Sequence, residues 1–267
     1  MSTGIQYDEA WSWRVEAIYT TSDVVAQRQA VLSALEPCPG ERVLDIGFGP
    51  GFLAREIAAA VGTGGAVHGI DTSESMLALS QRRCAGLPWV ALRLGDAAQL
   101  PYPDGYFDAA VSTQVYEYVV DVTAALRELQ RVLRPGGRAV VLDTDWDSIV
   151  WHAANQVRMD RVLAAFTEHC AHPYLARTLV PRLRQAGFTS SRSLVFPLFN
   201  PRYDADTYSH GIIDFIAAFV PGHRGVTEAE AQAWADELRQ LGQNGDYFFS
   251  LNRYLFCVEK PATSLAG

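Results

Sequence analysis

Hydrophobic and polar positions follow two alternating patterns between Arg42 and Asp143. Short apolar runs that end in Gly, Asp or Thr alternate with longer stretches in which apolar residues recur at i, i+3, i+4 and i+7. The first pattern predicts strands and the second predicts amphipathic helices. We expect strands over residues 42–47, 66–71, 90–96, 107–113 and 138–144. This alternation is typical of βα units that build a parallel sheet.

The pattern changes after Asp143. A long helical insertion is predicted to begin near Ser148, and a further helix is predicted to end at Gly187. Strands are then expected at residues 190–200 and 246–261, the second of them rich in aromatic residues. Two more helices are predicted between these strands.

Composition limits the classes of protein that fit. A chain of 267 residues with 49% hydrophobic residues is long enough to bury one large core. The net charge of −8 disfavours nucleic acid as a partner, because proteins that bind phosphate backbones usually carry a basic face.

The cysteines and the lengths of the apolar runs indicate the cellular location of the protein. Four cysteines are scattered without a CxxC pair, which predicts reduced, mostly buried thiols and neither a metal site nor a disulfide framework. A less favoured interpretation is that the fold gathers thiolates to bind a soft substrate such as arsenite. No apolar run approaches the length of a membrane span, and the first residues lack the features of a secretory signal. We therefore expect a cytoplasmic protein with no membrane span.

Three glycines lie between the first predicted strand and its helix. Gly47, Gly49 and Gly51 let the backbone approach a ligand closely and place a helix N-terminus beside it. The spacing is GxGxG, and Phe52 stands where the third glycine of a dinucleotide-binding GxGxxG would fall. A GK[ST] sequence is also absent, which excludes a P-loop.

Acidic residues follow successive strands, at the sheet edge where an open α/β sheet binds its ligand. Asp71 comes twenty residues after Gly51, where a carboxylate can accept both hydroxyl groups of a ribose. Asp96 ends the third predicted strand and can accept from an exocyclic amine such as that of adenine. Asp45 lies close enough to the glycines to face a cationic ligand group.

Four segments resemble consecutive motifs of one family: "VLDIGFGPG", "GIDTSESML", "GDAAQLPYPDGYFDAAVS" and "LRELQRVLRPGGRAVVLDTDW". In amino-acid sequence, order and spacing they are similar to those of class I S-adenosylmethionine-dependent methyltransferases, over roughly residues 39–146. The motif sequences are similar to those of the small-molecule branch that includes the ubiquinone and menaquinone biosynthesis methyltransferases. The resemblance implies an α/β fold: a Rossmann-like, doubly wound sheet of seven strands, mostly parallel with an antiparallel last strand, plus helical lid insertions.

The resemblance also implies a cofactor, S-adenosyl-L-methionine, with S-adenosyl-L-homocysteine as the product. The three glycines would run beside its methionine part, with Asp45 near the ammonium group. Around the nucleoside and the sulfonium, the matching positions are Asp71 for the ribose, Thr72, Met76, Asp96 and Ala97 for the adenine, and Gln114 for the sulfonium.

The acceptor side is predicted from segments outside this common core. Tyr116 is the first choice for a substrate contact or proton acceptor, since the family places its substrate after the fourth strand, and His152 is a second catalytic candidate. Glu117 and Tyr118 are as consistent with the core as with the site. Trp146, Tyr203 and His210 are further candidates for substrate binding. The other histidines, including His169, are predicted at surface or packing positions.

Three regions are expected: an N-terminal helical lid segment at residues 1–40, a cofactor-binding Rossmann-like core at 41–147, and an acceptor side at 148–267. In related enzymes the N-terminal segment folds over the cofactor, so Tyr19 and Arg28 are candidate cofactor contacts. The alternative is a helix that only packs on the sheet.

The sequence thus predicts an enzyme that methylates a small molecule at carbon, nitrogen or oxygen, as a monomer or homodimer. Two alternatives stay open, an NAD(P)-dependent oxidoreductase and a non-catalytic protein that binds S-adenosylmethionine. Methylation of nucleic acid is disfavoured by the acidic charge.

Overall fold

A computed structural model describes residues 16–262, except for the side chain of Ser190. The part of the predicted N-terminal lid segment before residue 16 lies outside the described residues. Residues 16–19 are helical and lead into the first complete helix.

Eight strands form one sheet within the described residues. They are β1 (Arg42–Ile46), β2 (Ala66–Asp71), β3 (Val90–Leu94), β4 (Phe107–Thr113), β5 (Leu133–Thr144), β6 (Val150–Trp151), β7 (Thr189–Asn200) and β8 (Phe249–Glu259).

The order of the strands places β1 and β4 at the centre. Five neighbouring strands, in the spatial order β3-β2-β1-β4-β5, are parallel to one another. Strand β8 then pairs antiparallel with β5 on one side and with β7 on the other. The two residues of β6 pair with Ser250 and Phe249, so β6 continues the row of β5 along β8. This arrangement confirms the predicted doubly wound sheet, with an eighth short strand added.

Eight complete α-helices flank this sheet within residues 16–262. They are α1 (Ser22–Leu35), α2 (Phe52–Val61), α3 (Glu74–Arg83), α4 (Val122–Val132), α5 (Gln156–Phe166), α6 (Leu179–Gln185), α7 (Tyr208–Phe219) and α8 (Glu228–Asn244). Short 3₁₀ turns follow β4 (Tyr116–Tyr118) and β5 (Trp146–Ser148), and two more precede α6 (Thr167–His169 and Leu175–Thr178).

The predicted helix from Ser148 is wrong over its first turns. The chain there forms the two-residue strand β6, and α5 begins only after Asn155, whose side chain accepts a hydrogen bond from Arg158 N. Pairing with β8 wins over helix formation because it buries Trp151 against Trp234 and Phe249. Sequence periodicity does not report such long-range pairing.

Helices cover both faces of the sheet, and α5, α7 and α8 form a separate apolar layer. On one side α1 and α2 pack against β1, β4 and β5, and on the other α4 and α6 do so. The layer of α5, α7 and α8 packs against β6, the start of β8 and the Trp146 turn. The carboxyl ends of β1 and β4 therefore open toward this layer and the N-terminal end of α1.

Lys260 is the only lysine of the chain, and it caps the C-terminal end of α4. Its Nζ donates to Gln130 O and Leu133 O, both at 2.8 Å. A cation at this end of a helix also interacts favourably with the helix dipole. Lys260 thus fixes the end of β8 against the turn between α4 and β5.

We expect Lys260→Met to lower the free energy of unfolding by ~1–3 kcal/mol. The carbonyl groups of Gln130 and Leu133 would lose the charged donor that the ammonium group provides. Urea unfolding measures the loss. Lys260→Arg keeps the charge and should recover most of the stability. Equal stability of the Lys260→Met variant and the wild-type protein would contradict the assignment.

Candidate active site

The glycine loop connects β1 to α2 with three residues of positive φ: +70° at Gly47, +52° at Gly49 and +82° at Gly51. A Cβ on Gly47 would lie 2.2 Å from Val115 Cγ2, and one on Gly51 would lie 2.7 Å from Ser80 Cβ. Packing therefore requires glycine at these two positions. At Gly49 the nearest atom to such a Cβ is Tyr19 Oη at 4.0 Å, so open space lies over this residue.

We expect Gly49→Ala to fold but to lose ligand affinity, because its Cβ would enter the open space that backbone leaves for a ligand. The strain of a positive φ should cost ~1 kcal/mol. Gly245→Ala is the matched control, since Gly245 also has positive φ (+84°) in the left-handed region and nothing within 4 Å, yet ends α8 away from the loop. Thermal melting should change similarly in the two variants, whereas calorimetric binding of S-adenosylhomocysteine should weaken at least tenfold in the first alone. Equal binding by both would contradict a ligand at Gly49.

Phe48 fits between the glycines because Gly69 leaves room for its ring. The Phe48 side chain is buried against Met76 and Leu79, and a Cβ on Gly69 would lie 2.7 Å from Phe48 Cδ1. The glycine loop is thus fixed by the apolar packing of Phe48 on β2 and α3.

Asp71 fixes the loop from the end of β2. Its Oδ2 accepts from Gly49 N and its Oδ1 from Ser73 N, both at 2.9 Å. Burial raises the pKa of Asp71, and hydrogen bonds from backbone N–H groups counteract this shift. The predicted ribose partner therefore also orders the loop that it would share with the ligand.

The predicted adenine contacts lie beyond Asp71 at the same edge of the sheet. Gly95 N donates to Asp71 O at 2.9 Å, which brings the end of β3 beside the end of β2. Asp96 is exposed and its Oδ1 accepts from Ala98 N, while Ala97 is buried. Thr72 is exposed, and Met76 is buried under Phe48.

Asp45 has an unusual environment for a carboxyl group. Only 1% of the residue is exposed, and Oδ2 is buried without a hydrogen-bond partner. Burial, with the nearby negative charge of Asp71, raises the pKa of Asp45 to about 7. A buried carboxylate in this state favours a cation beside it, because a partner of opposite charge offsets the loss of hydration.

A cavity of about 450 Å³, counted out to its open mouth, lies between this carboxyl group and α1. Asp45, Gly47 and Phe48 form its floor, and Tyr19, Gln27 and Arg28 close it from the N-terminal side. Arg28 is held there by Glu56 (Nε to Oε1, 2.8 Å) and by the carbonyl group of Tyr19 (3.0 Å). The predicted contacts Tyr19 and Arg28 thus share a cavity with Asp45 and Gln114, whereas Asp71 and Asp96 lie outside it.

Gln114 ends β4 with a strained backbone. Its φ of +55° lies in the left-handed region that non-glycine residues seldom adopt, and such strain is concentrated at functional sites. Gln114 N donates to Leu142 O at 2.6 Å, and Nε2 donates to Thr144 Oγ1 at 3.3 Å. These bonds hold the side chain in the wall between two cavities.

The second cavity shares Tyr19, Val24 and Gln114 with the first and measures about 560 Å³ out to its mouth. The remaining wall of the second cavity is mainly aromatic and apolar, formed by Ile18, Tyr118, Trp146, Phe166, His169, Tyr208, Ile212, Phe215 and Arg253.

Arg253 is the cation of this second cavity. It lies on β8, is 1% exposed, and stacks its guanidinium group 4.5 Å from the centre of the Tyr208 ring. Nη1 donates to Gln27 Oε1, and Nε has no hydrogen-bond partner. Arg253 and Gln27 thereby link the two cavities. Nothing in the local sequence distinguishes this arginine from the other arginines of the chain.

Two buried carboxyl groups lie behind the wall. Glu117 is fully buried; its Oε2 accepts from Thr144 N at 2.9 Å, while Oε1 has no hydrogen-bond partner. Burial raises the pKa of Glu117 to about 7, and Arg253 acts against this shift. Asp143 on β5 is also fully buried, neither of its oxygens has a hydrogen-bond partner of normal geometry, and burial beside Glu117 raises its pKa well above the ordinary value.

His169 lines the second cavity, although no feature of the sequence singles it out. Its ring stacks on Phe166 at 4.0 Å between centroids, and Nδ1 hydrogen bonds to Phe166 O. Burial lowers the pKa of His169 to about 4, so the ring is neutral at physiological pH. Only tertiary structure reveals this position, because α5 turns the residue back toward Trp146.

Of the predicted acceptor residues, Trp146 lines the second cavity, and so does Tyr118, which the sequence placed as readily in the core. Tyr116 is buried in the core beside Asp143, and its hydroxyl group has no hydrogen-bond partner. His152 is exposed next to β6. Tyr203 and His210 pack on each other, 4.7 Å between ring centroids, and line neither cavity.

Across residues 16–262, no group of three or more His, Cys, Asp or Glu side chains is arranged to hold a metal ion. In the same residues, no helix has both the length and the apolar content of a membrane span.

The fold defines an α/β protein with a candidate ligand site at the carboxyl edge of a parallel sheet. Residues 44–141 match the family profile of a methyltransferase domain. This segment is therefore similar to a methyltransferase domain, and the predicted resemblance is confirmed over these residues.

Similar proteins agree with this assignment. The chain is 41% identical over 142 residues to a 2-phytyl-1,4-naphtoquinone methyltransferase of Synechococcus elongatus, covering 51% of this chain and 61% of that protein. It is 42% identical over 135 residues to an uncharacterized 37.1 kDa protein in transposon TN4556 of Streptomyces fradiae, covering 51% of this chain and 39% of that protein. The chain thus matches between about two fifths and three fifths of the length of these relatives.

Among solved structures, phosphoethanolamine N-methyltransferase 2 of Haemonchus contortus, in complex with S-adenosyl-L-methionine, is similar in fold. The TM-score is 0.63 at 22% identity, over 96% of this chain and 58% of that one. At this identity the likeness concerns the fold.

Proposed function

We propose that this protein transfers a methyl group from S-adenosyl-L-methionine to a small-molecule acceptor, at carbon, nitrogen or oxygen. The observation that carries the proposal is the buried carboxyl group of Asp45, which has an unpartnered oxygen beside the glycine loop. An amino-acid tail fits there, because its ammonium group would supply the cation that this carboxylate lacks. Phosphate would not, since Asp45 would repel it.

The remaining contacts are assigned by position along the sheet edge. Asp71 would accept from the ribose hydroxyl groups, and Asp96 with Ala97 would contact the adenine. When bound, the cofactor supplies an electrophilic methyl group on sulfur. Gln114, which lines both cavities, would orient the reacting groups between them. Well-oriented reactants gain up to ~7–11 kcal/mol relative to the free reaction.

The second cavity is proposed to bind the acceptor. Its position across Tyr19, Val24 and Gln114 from the first cavity supports this role, and its aromatic wall favours a flat, apolar molecule. A relative named as a naphtoquinone methyltransferase supports the same class. Residues 148–262 supply half of the residues that line this cavity, which supports the proposed division into a cofactor core and an acceptor side only in part. We further propose that the protein acts in the cytoplasm as a monomer or homodimer.

An NAD(P)-dependent oxidoreductase is disfavoured by Asp45, because this carboxyl group occupies the place where a dinucleotide would present its pyrophosphate to the loop. A non-catalytic S-adenosylmethionine-binding protein remains the competing hypothesis. Incubation with methyl-labelled S-adenosylmethionine and a panel of phenols, quinols, indoles, amines and arsenite separates the two. We expect label in an aromatic acceptor and formation of S-adenosylhomocysteine; cofactor binding without transfer to any compound would favour the non-catalytic hypothesis.

A further inference from the structure

The N-terminal ends of α1 and α7 cap each other. Asp206, two residues before α7, accepts from Ser22 N at 3.0 Å, at the first residue of α1. Asp23, in the first turn of α1, accepts from Tyr208 N at 2.9 Å, at the first residue of α7. A carboxylate at a helix N-terminus satisfies N–H groups that lack an intrahelical partner and interacts favourably with the helix dipole. The starts of the two helices therefore stabilise each other.

Asp23 takes the place of an N-cap side chain for α7. Thr207 occupies the N-cap position, but within the described residues its side chain makes no capping hydrogen bond, and its Oγ1 donates to Asp204 O at 2.6 Å. Asn200 completes the cap, because its Nδ2 donates to Asp23 Oδ2 at 2.9 Å and its Oδ1 accepts from Ser209 N at 3.2 Å. The first turn of α7 thus depends on a residue of α1.

A glycine of α7 lets the segment before α1 pack closely on this helix. A Cβ on Gly211 would lie 2.5 Å from Ile18 Cγ1, which is closer than a real Cβ approaches a neighbouring atom. Ile18 lines the second cavity, and Tyr19, the next residue, lines both cavities. The segment that closes the first cavity is therefore fixed to α7 at two places, by the contact of Ile18 with Gly211 and by the cap.

Gln27 of α1 provides a further link to α7. Its Oε1 accepts from Arg253 Nη1, and the Arg253 guanidinium group lies 4.5 Å from the centre of the Tyr208 ring. Gln27 lines the first cavity, whereas Arg253 and Tyr208 line the second. The first residue of α7 is thus held to α1 both at its backbone N–H group and at its ring.

The two cavities meet different elements of this assembly. Tyr19 and Arg28 close the first cavity, while Tyr208 and Phe215 of α7 belong to the wall of the second. Among the described residues, those of α7 do not line the first cavity. A ligand in the first cavity therefore contacts the segment 18–28 and not α7 itself.

Contacts of a ligand with Tyr19 and Arg28 require the segment 18–28 to lie in its place over the first cavity, and the cap of α7 requires the same arrangement. A ligand that favours this arrangement therefore also favours an ordered α7, because binding shifts an equilibrium toward the state that binds better. We infer that S-adenosylmethionine, bound in the first cavity, orders α7 and thereby completes the wall of the second cavity. Asp23 and Gly211 are the positioning residues that couple the two sites. The coupling is reciprocal, so an acceptor in the second cavity tightens cofactor binding.

This inference rests on the proposed function, but hydrogen exchange of backbone amides tests it without a known acceptor. Exchange is measured by mass spectrometry with and without saturating S-adenosylhomocysteine, since the exchange rate of a protected amide reports the free energy of local opening. The reference is α4, which lines neither cavity within the described residues and reports the overall stabilisation of the fold by the ligand. We expect the ligand to slow exchange in residues 208–216 at least ~5-fold more than in α4, the lower end of usual coupling factors.

Three variants separate this response from stability. Asp23→Ala removes the cap, so α7 should exchange faster and should no longer respond to the ligand. Gly211→Ala should not speed exchange of α7 in the ligand-free protein, since alanine favours a helix more than glycine, but the displaced Ile18 should remove the response. Asp214→Ala is the control, because it removes an ion pair of α7 with Arg239 on α8 and should keep the full response.

An unchanged response in Asp23→Ala or in Gly211→Ala would overturn the role of that residue, and loss of the response in Asp214→Ala would overturn the assigned route. If melting shows that Asp23→Ala does not fold, Gly211→Ala decides alone. Calorimetry on the same preparations sets the saturating concentration for each protein. If S-adenosylhomocysteine binds and protects the glycine loop while α7 of wild type does not respond, only this inference fails. If it does not bind to folded wild type, the proposed function itself fails.

Discussion

Replacement of Asp45 by asparagine is expected to stabilise the ligand-free protein and to abolish most of its affinity for S-adenosylmethionine. Burial holds the pKa of Asp45 at about 7, against 3.8 for an ordinary aspartate, so the folded state disfavours the ionised form. Three pKa units correspond to ~4 kcal/mol as an upper bound. Removing the charge removes this penalty, whereas the loss of a buried charge partner should weaken cofactor binding ~100-fold.

The stability difference between Asp45→Asn and wild type should depend on pH, because the pKa of Asp45 is raised in the folded state. A carboxyl group with a raised pKa in the folded state contributes stability at pH values below its ordinary pKa, and this contribution is lost as the pH rises through the folded-state value. The difference in melting temperature between Asp45→Asn and wild type should therefore be small near pH 4, grow up to about pH 7 and stay constant above it. Melting curves across this range measure it.

An exposed aspartate provides the control. Asp160→Asn on α5 should change neither stability nor cofactor affinity by more than experimental error. A loss of stability in Asp45→Asn at pH 8, or unchanged affinity, would contradict the assignment of Asp45 as the partner of an ammonium group. A stabilising substitution at a ligand site is the usual result where function requires a strained or uncompensated group.

Asp71→Asn is expected to weaken S-adenosylhomocysteine binding by ~10²-fold or more, because a charged acceptor of two ribose hydroxyl groups is lost. Asp71 also accepts from Gly49 N and Ser73 N, so part of the loss could come from a disordered loop. Calorimetry with the 2′-deoxy analogue of S-adenosylhomocysteine separates the two causes.

Wild type should lose at least tenfold in affinity when the ligand lacks the 2′-hydroxyl group, and Asp71→Asn should lose almost nothing further. Equal losses in both proteins would mean that Asp71 acts on the loop alone and does not contact the ribose.

The cofactor-binding half of the fold could be predicted from the sequence, because each of its elements is marked by residues that are close together in the chain. Each βα unit between Arg42 and Thr144 carries its own periodicity, and Gly47, Asp45 and Asp71 follow directly from strand ends that the parallel sheet must bring to one edge. The strand order and the central position of β1 and β4 then follow from the family resemblance.

The second cavity was accessible only from the structure. Its wall is assembled from residues before α1, the turns after β4 and β5, α5, α7 and β8, which are far apart in the sequence. Arg253 faces the cavity because β8 inserts between β5 and β7, and that insertion also produces the strand β6 in place of a predicted helix. The sequence predicts His169 only at a surface or packing position, since one histidine near the end of a helix carries no signal by itself.

Calorimetric titration of the ligand-free protein with S-adenosylhomocysteine tests the central claim most directly. We predict one site per chain with a dissociation constant between ~1 µM and ~1 mM, the range in which enzymes usually bind their substrates. Asp45→Asn and Gly49→Ala should each weaken this binding, whereas Gly245→Ala should not. No heat of binding from either S-adenosylhomocysteine or S-adenosylmethionine at ~1 mM, with a folded protein, would contradict the account.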